Sequence, residues 1–110
     1  MVRKSPLIVG FLLFISVGIS SQQVWPLYPD SIPNSIGVLT DEDKPTITAY
    51  IPPKEKADGT GIIIFPGGSY SFLATATEGT PTATAFMEKG MAAFVVKYRL
   101  PNSATLKQPV

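Results

Sequence analysis

The sequence predicts an α/β fold in which a βαβ unit belongs to a mostly parallel sheet. Two continuously apolar runs, residues 61–65 and 91–96, are typical of strands that are covered on both faces. Between them, residues 81–89 place apolar side chains at helical spacing. The 11 prolines and 9 glycines among 110 residues indicate many turns, and a chain of this length has room for a single domain.

The first 20 residues have the pattern of a secretory signal peptide. Two basic residues precede the apolar run 7–15, and the small residues Gly18 and Ser20 suit the positions before a cleavage site. This nine-residue apolar core is too short for a membrane span, which takes about 20 residues. We therefore expect cleavage after Ser20, a secreted or periplasmic protein, and no stable membrane anchor.

Residues 21–44 are predicted to be an extended lead-in to the α/β domain, which we expect to occupy residues 45–110. The lead-in is rich in turn residues and shows neither helical nor strand periodicity. Its acidic cluster, residues 41–43, has three adjacent carboxylates without spaced partners, which is typical of a solvated turn rather than a metal site. We expect no metal and no cofactor.

The first strand is predicted at residues 46–51, where polar and apolar residues alternate and β-branched residues are frequent. Two prolines end it. The apolar run 61–65 then predicts a central strand of the sheet.

The helix over residues 81–89 has a start signal and a stop signal. Thr80 is the expected N-cap, and Gly90 lies just past the end. Ala83, Phe86 and Met87 fall at positions i, i+3 and i+4, so they should form one buried stripe. The crossover from the strand before the helix to residues 91–96 should be right-handed.

Composition excludes several kinds of function. Without the leader, the chain has seven basic and eight acidic residues and no basic patch, so we expect no nucleic-acid partner. Histidine is absent, and with it the usual general base of a serine hydrolase. Cysteine is absent as well, which rules out disulfides, a cysteine nucleophile and cysteine-ligated zinc within these 110 residues.

The loop after the central strand contains the candidate functional residues. Gly67 and Gly68 let the backbone adopt positive φ, so that N–H groups can face a developing negative charge at the carboxyl edge of the sheet. We expect the N–H groups of Gly68 and Ser69 to form an oxyanion hole. Gly67 and Tyr70 are expected beside the substrate.

Three alternatives remain open for this loop. It can be a simple connecting turn. Ser69 can be a nucleophile, because residues 67–71 approach the G-x-S-x-G pattern, although Ser71 stands where the final glycine belongs. Tyr70 can be a packing residue rather than a border of an acyl pocket.

Much of the chain resembles a known family. The segments IIIFPGGSY (62–70), EG (78–79) and FVVKYRLP (94–101), with Gly90 between the last two, are similar in residues and spacing to secreted α/β-hydrolases of the acetyl-xylan-esterase-like kind. These belong to the broader dienelactone-hydrolase and hormone-sensitive-lipase-like group. Residues 25–26, 32–35 and 45–52 resemble the lead-in and first strand of the same proteins.

The resemblance implies a serine esterase that acts on a small ester or an acylated carbohydrate. In this family the catalytic Ser, Asp and His follow in that order, after the part that the chain resembles. The chain is then expected to be an incomplete, N-terminal portion of the fold that supplies the oxyanion-hole loop and is inactive alone. Pro66 replaces the His of HGGG-type loops, and Ser69 replaces a third glycine, which affects how closely a bulky acyl group approaches.

Two further questions stay open. Glu78 and Arg99 can form an ion pair that braces the loop, or each can have a separate structural or solvated role. The chain can also be a complete small secreted module with a binding or structural function and no catalysis. Against this alternative, strands buried on both faces need helices on both sides of the sheet.

Overall fold

The computed structural model describes residues 22–36 and 39–101, which form one four-stranded sheet and one helix. The strands are β1 (Gln22–Pro26), β2 (Thr46–Tyr50), β3 (Gly61–Ile64) and β4 (Ala92–Lys97), and the helix is α1 (Thr80–Glu88). A 3-10 turn, Asp41–Asp43, precedes β2, and a π turn, Thr75–Gly79, precedes α1. The predicted signal peptide lies outside the described residues.

β3, α1 and β4 form a βαβ unit in the described part of the chain. The two strands run parallel, with Ile62 opposite Ala93 and Ile64 opposite Val95, and α1 connects them. Both strands overlap the two continuous apolar runs of the sequence.

The expectation of a mostly parallel sheet is wrong for the strands that the structure describes. Their order is β1-β2-β4-β3, and both β1–β2 and β2–β4 pair antiparallel. The sheet is therefore mixed, with its parallel pair at one side.

β1 lies within the predicted extended lead-in, residues 21–44, where the sequence shows no strand periodicity. All five residues of β1 are exposed, and the strand pairs with β2 from Gln22 opposite Tyr50 to Pro26 opposite Thr46. An edge strand that buries no side chain needs no alternation of polar and apolar residues, so periodicity did not reveal it.

The start of α1 differs from the prediction. Thr80 is already helical, and its N–H donates to the Thr75 carbonyl to complete the π turn, so Thr80 is not the N-cap. Its hydroxyl instead accepts a hydrogen bond from the Tyr50 hydroxyl at 3.2 Å. The helix end agrees with the prediction, because Gly90 follows it with φ at 88°.

The core lies between α1 and one face of the sheet. Tyr50, Ala83, Ala93 and Val95 are buried there, and four partly buried side chains pack against them: Ile62, Ile64, Phe86 and Met87. The predicted stripe on α1 is thus confirmed. Ala83 and Ala93 are both 0% exposed, and these small side chains let the helix lie close to β4.

The other face of the sheet has no helix against it among the described residues. On β3, Ile63 is 58% exposed, and Phe65 just beyond it is 65% exposed. β3 is an edge strand in the described sheet, so the predicted central position and the cover on both faces are not present in this part of the chain. No helix within residues 22–36 and 39–101 is both long and apolar enough to cross a membrane.

Close packing at Ala83 yields the first prediction. Ala83→Leu adds three carbons to a fully buried position, which should reduce the free energy of unfolding by about 2 kcal/mol through overpacking. Ala85→Leu makes the same change on the exposed side of α1 and should cost far less. Urea denaturation of both variants measures this, and equal losses would contradict the packing described above.

A second prediction concerns Asp58, which caps the turn before β3. Hydrogen bonds from the Thr60 hydroxyl (2.6 Å) and the Thr60 N–H (2.8 Å) lower the pKa of the Asp58 carboxyl. A pKa that is lower in the folded protein than in the unfolded chain means that this stabilisation is complete above about pH 4 and is lost as the pH falls through the folded value.

Thr60→Val should raise the pKa of Asp58 toward the ordinary value, since the hydroxyl donor is lost, whereas Thr60→Ser should leave it low. Titration of the carboxyl carbon by NMR distinguishes the variants. The explanation fails if Thr60→Val leaves the pKa of Asp58 unchanged.

Candidate functional site

The candidate loop, residues 65–74, begins where β3 ends. Because β3 and β4 are parallel, the residues after β4 lie at the same edge of the sheet. The rings of Phe65 and Tyr98 are 6.4 Å apart at their centres, and the Tyr98 hydroxyl donates to the Pro66 carbonyl. The base of the loop is thus attached to the end of β4.

The first glycine of the loop has both backbone groups bonded within the protein. Its N–H donates to Oε2 of Glu78 at 2.7 Å, and its carbonyl accepts from the Ala74 N–H at 2.8 Å. Gly67 therefore connects the start of the loop both to Ala74 at its end and to Glu78 in the π turn. The sequence-based prediction that Gly67 lies beside the substrate stays a prediction, but its N–H already has an acceptor.

Three consecutive N–H groups follow that have no acceptor within the described part of the chain: those of Gly68, Ser69 and Tyr70. The Gly68 carbonyl, in contrast, accepts from Ser71 at 3.1 Å and from Phe72 at 3.4 Å. Ser69 and Tyr70 are exposed. The N–H groups of Gly68 and Ser69, which are predicted to donate to an oxyanion, therefore donate to no acceptor in the described part of the chain.

The backbone at the tip of the loop is unusual. Gly68 has φ at 150°, while Ser69 and Tyr70 have φ at 54° and 62°, in the left-handed region that side chains disfavour. A Cβ on Gly68 would lie 1.9 Å from the Phe72 carbonyl oxygen, so only glycine fits at this position. Consecutive left-handed residues of this kind occur mainly at functional sites, where the surrounding contacts hold them.

Tyr70 and Ser69 can be assessed against the alternatives from the sequence. Tyr70 is 79% exposed, so its ring is not a packing residue among the described residues. A nucleophile elbow places the serine in a turn leading directly into a helix, but here a loop and a π turn separate Ser69 from α1. The structure does not support Ser69 as a nucleophile.

The suggested ion pair between Glu78 and Arg99 is not formed. Glu78 instead binds the Gly67 N–H. The Arg99 guanidinium donates to the Ser35 hydroxyl at 2.7 Å and to the carbonyls of Pro33 at 2.5 Å and Asn34 at 3.4 Å. Arg99 thereby attaches the lead-in to the end of β4, a contact across more than 60 residues that sequence reasoning missed and that no local pattern signals.

A cavity of about 650 Å³ lies beside the loop. Its walls include Phe72 and Leu73 from the loop, Tyr98 and Leu100 after β4, and Thr40 from the lead-in. This volume is within the range of small-molecule sites. No group of three or more potential metal-binding side chains is present in the described residues.

Gly68 yields a prediction with a matched control. Gly68→Ala combines a positive φ with a backbone clash, so the turn through Phe72 must move, whereas Gly59→Ala at φ 85° meets nothing within 4 Å. Gly59→Ala should cost about 1 kcal/mol from left-handed strain alone, and Gly68→Ala should cost more. NMR amide shifts of residues 68–72 should change only in Gly68→Ala. Unchanged shifts in that variant would contradict the described loop conformation.

Comparison with known proteins gives a partial relationship. The chain is 38% identical over 64 residues, or 58% of its length, to an acetylxylan esterase of Xylanibacter ruminicola. The matched segment spans only 13% of the length of that protein. No family model matches the chain, and no solved structure matches it significantly. The similarity supports an esterase-like relationship for this part of the chain.

Proposed function

We propose that the chain is the N-terminal part of a secreted serine hydrolase of the carboxylic ester or carbohydrate esterase type. In this proposal the N–H groups of Gly68 and Ser69 form the oxyanion hole, and the substrate is a small ester or an acylated carbohydrate. The nucleophile, base and orienting acid come from residues beyond these 110. The partial similarity to an acetylxylan esterase is consistent with this assignment.

The observation that carries the proposal is the row of unoccupied amides at the carboxyl edge of the parallel pair β3 and β4. Attack of a serine on an acyl carbonyl puts negative charge on the carbonyl oxygen, and fixed N–H donors stabilise that charge. Loss of one such donor typically reduces kcat by about 10²–10³. Main-chain donors suit the task because their direction is set by the backbone alone.

The general base of the reaction is a separate requirement. Histidine is absent from the sequence, so in this proposal the base belongs to the remainder of the enzyme, and these residues alone are inactive. The exposed Ile63 on β3 and Phe65 just beyond it support the same view, because apolar side chains on that face are expected to be covered by further structure.

A phosphonate probe tests the proposed role directly. The protein encoded by the whole reading frame should react with an alkyl fluorophosphonate at a serine of a G-x-S-x-G segment. In the resulting adduct, the phosphonyl oxygen of the probe occupies the oxyanion position. In ¹⁵N-enriched protein, the amide signals of Gly68 and Ser69 should shift when the probe reacts, while that of Gly59 should not.

The proposal fails if the reading frame contains no G-x-S-x-G segment followed by Asp and His. It also fails if the probe labels a serine without moving the two amide signals. A cooperative, monomeric protein made of residues 21–110, without any ester hydrolysis by the longer chain, would favour the alternative of a non-catalytic module.

A further inference from the structure

Glu78 is a side chain outside the candidate loop that binds the backbone of the loop. Its carboxyl Oε2 accepts a hydrogen bond from the Gly67 N–H at 2.7 Å, at the short end of the usual range. A Cβ on Gly67 would lie 3.0 Å from the same oxygen, so the carboxylate is packed directly against the backbone of the loop. Because the Gly67 N–H donates to Glu78, it is not available to a ligand, and the first available N–H donor of the loop is that of Gly68.

The π turn brings Glu78 to this position. Its backbone is tied to the loop, because Ala74 accepts from the Glu78 N–H at 2.8 Å and donates to Gly67. Gly79 is buried beneath the loop, where a Cβ would lie 3.0 Å from Val95 and 3.2 Å from Pro66. The loop and the π turn therefore form one unit, with the Glu78 carboxylate and the Thr77 hydroxyl as side-chain connections between them.

Glu78 has no role in the proposed reaction as a charge. A negative side chain next to an oxyanion hole opposes the negative charge that develops on the substrate. Its benefit must therefore come from geometry. The loop that it binds at Gly67 also contains Ser69 and Tyr70, whose left-handed backbone persists only when neighbouring contacts enforce it.

We propose that Glu78 is a positioning residue for the oxyanion hole. By holding the Gly67 N–H, it fixes the direction of the Gly68 and Ser69 amides before substrate binds. This inference rests on the proposed function. It states in addition that the useful property of Glu78 is a hydrogen-bond acceptor at this position and not its charge.

Three variants of the full-length enzyme separate these properties. Glu78→Ala removes both acceptor and charge, and Glu78→Gln keeps an amide oxygen as acceptor. Glu88→Ala removes an exposed carboxylate at the end of α1, outside the loop and the π turn. The assay is steady-state hydrolysis of p-nitrophenyl acetate.

In Glu78→Ala, kcat should fall by about tenfold or more with KM nearly unchanged, since misplaced donors act on the transition state rather than on ground-state binding. Glu78→Gln should recover most of kcat, and Glu88→Ala should match the wild type. Full kcat in Glu78→Ala overturns the inference, and so does a Glu78→Gln variant as slow as Glu78→Ala.

Amide hydrogen exchange provides a readout that does not need activity. The Gly67 amide should exchange faster in Glu78→Ala than in the wild type or in Glu78→Gln. An active wild type with equal Gly67 exchange in all variants refutes the positioning role alone. A wild type that hydrolyses no ester and reacts with no phosphonate refutes the proposed function, and with it the catalytic meaning of any change in exchange.

Discussion

The parallel pairing of β3 with β4 is the constraint on which the rest of the candidate site depends. It places the ends of both strands at one edge of the sheet, so that the Tyr98 hydroxyl reaches the Pro66 carbonyl. The pairing is held by α1, which lies close to β4 because Ala83 and Ala93 have small side chains. A larger residue at this contact would move the helix and, through the π turn, the loop.

The two faces of the sheet are in different situations. One packs against α1, while Ile63 and Phe65 on the other remain largely exposed in the described residues. Exposed apolar side chains on an edge strand promote association with other strands. The loop that bears the amides leaves the sheet at β3, the strand with one covered and one uncovered face.

Sequence reasoning predicted the elements that bury side chains and missed those that do not. The helical spacing on α1 and the continuous apolar runs of β3 and β4 are visible in the sequence because these elements pack. β1 has no such pattern, because its five residues are exposed and only its backbone pairs. The contact of Arg99 with residues 33–35 joins segments far apart in sequence, so no local pattern predicts it. The π turn was not predicted because the Thr80-Pro81 pair that follows it is typical of a helix start.

The candidate loop could be predicted from the sequence only in part. Gly68 is fixed by steric limits, since no other residue fits against the Phe72 carbonyl, so the glycine was informative. Ser69 and Tyr70 carry no such signal in the sequence, because neither residue type favours a left-handed backbone. That conformation costs about 1–2 kcal/mol for each residue relative to the favoured region. That cost has to be offset by bonds around them: both backbone groups of Gly67, the Gly68 carbonyl and the Pro66 carbonyl. A loop with this many fixed points is ordered before any ligand arrives, and donors that need no reorganisation stabilise charge most effectively.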